Sequence, residues 1–401
     1  MESIYLDYAS TTPVDPRVLE AMMPCLEKDR GGFGNPNSLH FFGQKALVIL
    51  DEARTKIAKT VFANYRDIVF TSSATEANNL VIRGSVKSYF RNRKTCSAIP
   101  KIIISSAEHP SVMETVRDLA GDGAVKAVFL PVDKKGVVDL DFFKKELDEN
   151  TILVSVMWVN NETGSVQPIS DIAKIISDFR TNHQPPTANY YPLFHTDAAQ
   201  APCFFDLNVL KSGVDLMTLS SHKIYGPKGS ACLYLSNKLP TTNCQLLSPI
   251  ITGGGQEYGL RSGTENIPAI AGFGLAAETA ASERETEFGR TKKLSLYFFE
   301  KIKEKLPLVE INGDLENRSP HILNLFVPYK ENLVVALDLA GVAASSGSAC
   351  SQRIAKSSHV LSAMGFNEER IKQSVRFSFG KFTTKEEIDT AIERIIMAIK
   401  K

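Results

Sequence analysis

The chain has 401 residues, which is enough for two or more domains around a large buried core. Hydrophobic residues make up 43% of it, charged residues 23%, and the formal net charge is +1, so no bulk field would attract nucleic acid or an anionic membrane. We find no apolar run near the ~18 residues of a membrane span, and no N-terminal pattern of a secretory signal or transit peptide. We therefore expect a cytoplasmic globular protein with no direct nucleic-acid partner and no membrane partner.

The first half of the chain alternates between strand-like and helix-like segments. After a short strand within residues 1–13, helices are predicted from Asp15-Pro16 and over residues 41–61. Strands are then predicted at 67–71, 101–105, 125–132, 151–159, 193–197, 215–219 and 230–236, and helices from Ser73 and at 141–149 and 169–180. This alternation predicts an α/β fold with a mostly parallel sheet covered by helices.

The second half predicts a smaller α+β domain. A glycine-rich loop at 252–264 lacks GxGxxG or Walker A spacing, so nucleotide binding is not indicated. A long helix at 267–306 is followed by strands near 309–313, 321–328 and 374–379, and the capping pattern Thr384 to Glu387 opens a last helix. We therefore predict a large domain of residues 14–262 and a small domain of residues 1–13 and 263–401.

Six cysteines are scattered without any C-x-x-C pair: Cys25, Cys96, Cys203, Cys232, Cys244 and Cys350. Their spacing disfavours a structural zinc site or a redox dithiol, so we expect no metal and reduced thiols. Most are expected to be small core residues. Cys350 differs because it lies in a run of small residues, 343–351, that predicts a movable loop. That position leaves open a buried structural thiol or a reactive one.

Polar side chains follow most of the predicted strands of the large sheet. In parallel sheets ligands bind at the carboxyl ends of strands, so these residues should share one site. Taken singly, each has an ordinary interpretation: Lys223 could be a solvated lysine in a turn, and residues 73–75 could be a simple capped helix rather than a phosphate site. Their convergence favours function: Ser73–Thr75, His109, Asn161, Asp197, Gln200 and Lys223.

One cofactor suits these parts, pyridoxal 5'-phosphate. Lys223 would hold it as a Schiff base and later act as general base, while Asp197 would keep the pyridine nitrogen protonated. His109 could stack on the ring and relay protons. Arg376, in the strand-like run Val375-Arg-Phe-Ser-Phe379, is either a solvated residue or, with Asn161, a clamp for a substrate carboxylate.

The chain resembles the cysteine desulfurases of the class V aminotransferase family from Tyr5 to the last helix. The stretches that carry the resemblance are Tyr5-Leu-Asp-Tyr, Phe33-Gly-Asn-Pro, Thr71-Ser-Ser-Ala-Thr-Glu76, Ala107-Glu-His109, Val159-Asn-Asn-Glu162, Asp197-Ala-Ala-Gln200, Ser220-Ser-His-Lys-Ile-Tyr-Gly-Pro-Lys228, Gly253-Gly-Gly-Gln-Glu257, Leu260-Arg-Ser-Gly-Thr264, Ser345-Ser-Gly-Ser-Ala-Cys350 and Arg376-Phe-Ser-Phe-Gly380. The resemblance implies the fold type I architecture of pyridoxal-phosphate-dependent transferases and a homodimer. It also implies conversion of L-cysteine to L-alanine, with a persulfide for sulfur-acceptor proteins of iron–sulfur assembly or of a relay for tRNA thiolation.

The same resemblance implies a role for each matching residue. Lys223 matches the Schiff-base lysine and Cys350 the persulfide-forming cysteine, and Thr264 matches the residue lent by the neighbouring subunit. The other implied roles are the phosphate site for Ala74, Thr75, Ser220 and His222, the pyridine nitrogen and ring oxygen for Asp197 and Gln200, ring stacking for His109, and the substrate carboxylate for Asn161 and Arg376. Ser73, where glycine is usual, and Tyr258, where arginine is common, depart from the pattern.

Two other functions compete with this one. A selenocysteine lyase or another pyridoxal-phosphate enzyme of the same fold would not require Cys350. The loop from Cys350 to Val360 resembles in length that of the family's long-loop subgroup, with its Ser-Gly-Ser-Ala-Cys motif, and this resemblance implies cysteine rather than selenocysteine as the preferred substrate. A catalytically idle homologue that docks a sulfur carrier would not need Lys223, Asp197, His109 and Cys350 together.

Overall fold

A seven-stranded sheet forms the centre of the larger part of the protein. The computed structural model describes residues 3–92, 98–183, 191–237, 246–329, 333–347 and 357–400. The sheet has the order β2-β8-β7-β6-β5-β3-β4, formed by β2 (Ile68–Thr71), β3 (Lys101–Ser105), β4 (Lys126–Leu130), β5 (Thr151–Ser155), β6 (Leu193–Asp197), β7 (Leu216–Ser220) and β8 (Ala231–Leu235). Only β8 runs antiparallel to its neighbours in this sheet of the described chain. The predicted mostly parallel α/β sheet is therefore confirmed.

Two layers of helices bury the faces of this sheet. Every residue of β3 is buried, and Ile103 belongs to one apolar cluster while Ile102 and Ile104 belong to the other, because successive side chains of a strand point to opposite faces. One face is covered by α2 (Phe41–Thr60), α5 (Leu140–Glu146), α6 (Ile169–Asn182) and part of α8 (Ile267–Lys305), and the other by α3 (Ala74–Asn92) and α4 (Pro110–Gly121); α1 (Pro16–Met22) and α7 (Val209–Ser212) are shorter.

The smaller part has its own sheets and core. Its strands are β9 (Glu310–Ile311), β10 (Ile322–Phe326) and β12 (Ser374–Ser378), in the antiparallel order β12-β10-β9, and β1 (Ile4–Tyr5) pairs in parallel with β11 (Val342–Ala343). Its helices are α9 (Leu333–Leu339), α10 (His359–Ala363), α11 (Glu368–Lys372) and α12 (Lys385–Lys400). Phe298 and Ile302, near the end of α8, pack into this core, whereas Phe273 packs into the core of the large sheet. The domain division at residues 14–262 stays a prediction.

Several predicted boundaries are wrong by a few residues. The strand predicted at 151–159 ends at Ser155, and the Met157 N–H donates to a Glu108 carboxylate oxygen (2.6 Å). The helix predicted at 141–149 is Leu140–Glu146, capped by Asp139. The capping box at the start of α12 is confirmed, because Thr384 and Glu387 each accept the other's backbone N–H. Along the described chain, no helix combines the length and apolar character needed to cross a membrane.

Candidate active site

A cavity of about 210 Å³ lies where the parallel strands end. Strands β2, β3, β5, β6 and β7 run in one direction, so their carboxyl ends share an edge of the sheet. The cavity is lined by Ala9, Ser10, Ser73, Ala74, Thr75, His109, Met157, Val159, Asn161, Asp197, Ala199, Gln200, Ser220, His222, Lys223 and Arg376. All predicted site residues are among these except Thr264, which is exposed elsewhere, and Cys350, which lies outside the described residues.

The catalytic lysine candidate is held by the N-terminal segment. Lys223 ends a short turn after β7, and its Nζ donates to the carbonyl oxygens of Ala9 (2.5 Å) and Ser10 (2.7 Å). Thr12 supports the same turn, because its N–H donates to the His222 carbonyl (2.9 Å) and its hydroxyl accepts the Tyr225 N–H (2.8 Å). The sequence analysis missed this contribution of residues 9–12.

Asp197 and His109 are both oriented by hydrogen bonds. Asp197 accepts the Ala199 N–H at Oδ1 (3.0 Å) and an Asn78 amide N–H at Oδ2 (2.7 Å). The Nδ1 atom of His109 accepts the Ser111 backbone N–H (3.1 Å). Burial lowers the pKa of His109 below its ordinary value, while the nearby Asp197 carboxylate acts in the opposite direction. A neutral His109 therefore carries its proton on Nε2.

The start of α3 offers an anion site at the same edge. The first backbone N–H groups of a helix have no intrahelical acceptor, and here these belong to Ala74 and Thr75. Ser73 accepts the Glu76 N–H (3.2 Å), as a cap should. The residue types of Ser73-Ala-Thr-Glu76 also predict a capping box, in which Glu76 would accept the Ser73 N–H. That part of the prediction is wrong, because the Glu76 carboxylate accepts the Ser72 N–H (3.0 Å) and pairs with Arg261 (2.8 Å).

His222 can contribute a neutral donor to the cavity. Its Nδ1 lies 3.1 Å from the Thr11 hydroxyl. Burial, together with the positive charges of Lys223 and Lys228, lowers the pKa of His222 to about 4. With the Thr11 hydroxyl donating to Nδ1, the imidazole can donate from Nε2 to an anion.

Arg376 is buried, so the solvated interpretation of this residue is wrong. Its Nη2 donates to Asp7 Oδ1 and to the Ser10 hydroxyl, both at 2.7 Å, and its Nη1 donates to the Asn161 carbonyl (2.7 Å). Its Nε is buried and has no hydrogen-bond partner among the described residues. The guanidinium is thus held beside Asn161 at the wall of the cavity.

Gln200 forms hydrogen bonds with the N-terminal segment and with the smaller part of the protein. Its Nε2 donates to the Ala9 carbonyl (2.8 Å), and its Oε1 lies 3.1 Å from Nε2 of His321. His321 precedes β10 and stacks on Phe204, with ring centroids 4.5 Å apart. Sequence analysis missed His321 because no local pattern connects it to the strand edge.

These residues fit pyridoxal phosphate. A lysine amine, a buried carboxylate and the open start of a helix line one cavity, which matches the cofactor's aldehyde, pyridine nitrogen and phosphate. Two uncharged imidazoles and an amide add further donors. Among the described residues, no group of His, Cys, Asp and Glu side chains is arranged to hold a metal ion.

The chain belongs to the class V aminotransferase family, whose profile, Aminotransferase class-V, matches residues 4–390. Among its relatives, cysteine desulfurase IscS 1 of Archaeoglobus fulgidus is 41% identical over 97% of this chain and 95% of its own. A solved NifS-like protein superposes with a TM-score of 0.87 and 33% identity, covering 99% of both chains. The structure of SspA in complex with cysteine has a TM-score of 0.77 and 33% identity, covering 95% of this chain and 100% of that one.

Proposed function

We propose that this chain is a pyridoxal-phosphate-dependent cysteine desulfurase. It converts L-cysteine to L-alanine and keeps the sulfur as a persulfide on Cys350. The observation that carries the proposal is the grouping of Lys223, Asp197 and His109 around one cavity at the carboxyl edge of the sheet. The relatives named cysteine desulfurases, which align over nearly the whole chain, support the same reaction.

Each residue has a task that its position allows. When bound, pyridoxal phosphate supplies an electron sink that makes the substrate α-carbon acidic. The amine of Lys223, which would also hold the cofactor, lines the cavity where it could take the α-proton as general base. Asn161 and Arg376 bind the substrate carboxylate at the wall where they meet. His109 donates from Nε2, which is the ring nitrogen left free by Ser111.

Cys350 removes the sulfur atom from the substrate. Its thiolate attacks the substrate sulfur, so that an S–S bond forms while the carbon–sulfur bond breaks. The electron pair of the broken bond stays with the substrate fragment, which takes up a proton and leaves as alanine. The persulfide then passes its outer sulfur to the thiolate of an acceptor protein, such as an iron–sulfur scaffold or a relay for tRNA thiolation. We infer that this takes place in the cytoplasm.

We also propose a homodimer in which Thr264 serves the partner's phosphate site. Thr264 is exposed, and its neighbour Glu265 accepts a hydrogen bond from Asn37 (3.2 Å). Asn37 lies beside an exposed aromatic group, in which Phe42 contacts Phe33 and Phe41 with centroids 5.2 and 5.6 Å apart. Exposed apolar groups of this kind support an interface with a second copy.

Two variants test the reaction. Cys350→Ser should keep the spectrum of the bound cofactor and release no alanine from cysteine, whereas Lys223→Ala should lose both activity and the borohydride-reducible linkage. Selenocysteine turnover should survive in Cys350→Ser, because selenium leaves without help from a thiol. Cysteine turnover at the wild-type rate in Cys350→Ser would contradict the proposal and favour another enzyme of the same fold.

Mixed dimers test the shared site. Thr264→Ala should weaken cofactor binding by about one to two orders of magnitude, since one hydrogen bond to a charged phosphate contributes roughly 1.5–3 kcal/mol. Mixing this variant with Lys223→Ala, at limiting cofactor and with subunit exchange, should raise activity above either parent, because one site then holds both native residues. No recovery despite confirmed exchange would show that Thr264 acts within its own chain.

A further inference from the structure

A continuous set of hydrogen bonds joins His109 to Asp197 beneath the cavity. The amide nitrogen of Asn78 lies 2.7 Å from Asp197 Oδ2 and 2.9 Å from the Ser111 hydroxyl. The Ser111 hydroxyl lies 2.8 Å from Nδ1 of His109. Asn78 is fully buried and Ser111 is 9% exposed, so water does not compete for these bonds.

The direction of every bond in this set is determined by its donors. A side-chain amide nitrogen has only two protons, and Asn78 uses them on Asp197 and Ser111. The opposite amide orientation would place its oxygen 2.7 Å from a carboxylate oxygen, which is repulsive. Because Ser111 Oγ accepts from Asn78, its own proton is free for His109 Nδ1. The Ser111 backbone N–H also donates to Nδ1, so that nitrogen cannot carry a proton.

Asn78 has an unsatisfied atom that this arrangement explains. Its Oδ1 is buried and has no hydrogen-bond partner among the described residues. Burying a carbonyl oxygen without a hydrogen bond costs free energy. The presence of asparagine at this position therefore indicates that the hydrogen bonds donated to Asp197 and Ser111 outweigh this cost. A residue that served packing alone could be apolar at this position without that cost.

We propose that Asn78 is a positioning residue that couples His109 to Asp197 through Ser111. Because Asn78 makes the Ser111 hydroxyl an acceptor, that hydroxyl donates its proton to Nδ1 of His109 and adds to the Ser111 backbone N–H in keeping Nδ1 an acceptor. The ring then exchanges protons with the cavity only at Nε2. Together with the Ala199 N–H, Asn78 also fixes the orientation of the Asp197 carboxylate, which would pair with the pyridine nitrogen of the cofactor. The kinetic part of this proposal rests on the function proposed above, whereas the arrangement of the ring protons does not.

The side chain one residue further along α3 provides a matched control. Asn79 donates to the Thr75 carbonyl (3.0 Å) and accepts from Arg83 Nε (3.0 Å), so it has the same chemistry on another face of the helix. Asn78→Leu and Asn79→Leu therefore remove the same amide from neighbouring positions. Ser111→Ala removes only the hydroxyl group that links Asn78 to His109.

Nitrogen NMR of the histidine rings tests the proposal without catalysis. The chain has seven histidines, and His109 is assigned by its loss in His109→Gln. In wild-type protein, with or without cofactor, Nδ1 should be unprotonated and Nε2 protonated. Asn78→Leu and Ser111→Ala should raise the pKa of His109 by about one unit. The hydroxyl donor to Nδ1 is absent in Ser111→Ala and is no longer held in the donating orientation in Asn78→Leu, so that only the Ser111 backbone N–H still favours the neutral ring. The charged or titratable neighbours Asp197, Lys223 and His359 remain in all variants, and Asn79→Leu should match wild type.

Kinetics supply the second readout. In Asn78→Leu, kcat for cysteine should fall about tenfold, while KM should stay nearly unchanged because Asn161 and Arg376 are untouched. A proton on Nδ1 in wild type, or the same pKa of His109 in wild type and Asn78→Leu, would overturn the proposal, as would an equal shift in Asn79→Leu. If Asn78→Leu does not fold, the pKa of His109 in Ser111→Ala is compared with that in wild type instead. A wild-type protein without desulfurase activity would contradict the proposed function and leave the ring measurement valid.

Discussion

The Arg376 guanidinium pairs with Asp7 across 2.7 Å, although the two residues are 369 positions apart in the chain. Arg376 is 1% exposed, so its charge would be uncompensated without this carboxylate. The pair joins the N-terminal segment to β12 at the cavity wall. It therefore contributes to stability and also places the predicted substrate clamp.

We predict that Asp7→Asn destabilises the protein by about 1.5–3 kcal/mol, because the buried guanidinium keeps its charge while its carboxylate partner is replaced by an uncharged amide. Denaturant unfolding measures this change. Glu368→Gln is the control, since Glu368 pairs with Lys372 on the surface (3.9 Å) and should change stability by less than about 0.5 kcal/mol. Equal effects of the two substitutions would contradict the structural role of Asp7.

The buried pair of Arg54 and Glu257 should be a larger source of stability. Two bonds of 2.7 Å join them, and Glu257 also accepts the Phe70 N–H (2.7 Å). Tyr258 covers the guanidinium, with its centroid 5.3 Å away. Glu257→Ala should lower the free energy of unfolding by about 3–5 kcal/mol, because a buried charge is left alone.

The exposed pair of Lys301 and Glu304, also at 2.7 Å, is the control for that measurement. Glu304→Ala should cost far less than Glu257→Ala, since solvent screens the exposed pair. If Glu257→Ala lowered the free energy of unfolding as little as Glu304→Ala, the buried pair of Arg54 and Glu257 would not be a major source of stability.

Glu108 should make stability depend on pH. Burial raises the pKa of its carboxyl well above the ordinary value, an effect only partly opposed by the Met157 N–H. Above about pH 4.5 the unfolded chain loses this proton while the folded protein keeps it, so the contribution of Glu108 to wild-type stability falls as pH rises. Glu108→Gln cannot titrate, so its stability relative to wild type should increase by about 1.4 kcal/mol per pH unit until the folded carboxyl ionises.

Unfolding of wild type and Glu108→Gln between pH 5 and pH 8 measures this difference. Glu114→Gln, at an exposed position of α4 shortly after Glu108 in the chain, controls for the chemical change. A stability difference between Glu108→Gln and wild type that does not vary with pH would contradict a protonated Glu108 in the folded protein.

Glu162 lies between the two ends of the segment that contains Cys350. Its Oε2 accepts the Ser358 hydroxyl (2.5 Å), and a Cβ built on Gly347 would lie 3.1 Å from the same oxygen. Ser358→Ala should therefore lower cysteine turnover about tenfold, because Ser358, which follows the segment containing Cys350, is no longer fixed to Glu162. Selenocysteine turnover should change much less.

Ser358 also caps α10 through the Leu361 N–H (3.1 Å), so cap loss must be controlled. Asn367→Ala removes a comparable cap from α11 without contact to Glu162 and should leave cysteine turnover unchanged. Ser358→Thr, which keeps the hydroxyl, should restore activity. Equal loss of both substrates in Ser358→Ala would indicate damage to the cofactor site instead.

The fold of the large sheet could be predicted because its signals are local. Apolar runs such as Ile102 to Ile104 identify strands buried on both faces, and the helices between them impose parallel strands. Once the strands are parallel, residues just beyond their ends share an edge, which is why Asp197 and Lys223 could be assigned to one site.

Element ends were less predictable, because tertiary contacts compete with local preference. The chain after Ser155 is as apolar as a strand, yet the Glu108 carboxyl takes the Met157 N–H. Glu76 stands at the right position for a capping box, yet it bonds to Ser72 and Arg261 instead of the Ser73 N–H. The local sequence shows which hydrogen bonds a side chain could form. It does not show which partner the folded chain brings closest to that side chain.

The sequence alone therefore determined the class of fold, the edge that carries the chemistry and the residue types placed there. Only the tertiary structure decided how those residues are held: Asp7 against Arg376, His321 against Gln200, and Asn78 between Asp197 and Ser111. The physical reason is that hydrophobic periodicity acts over a few residues, whereas these hydrogen bonds join segments brought together by burial of separate apolar faces.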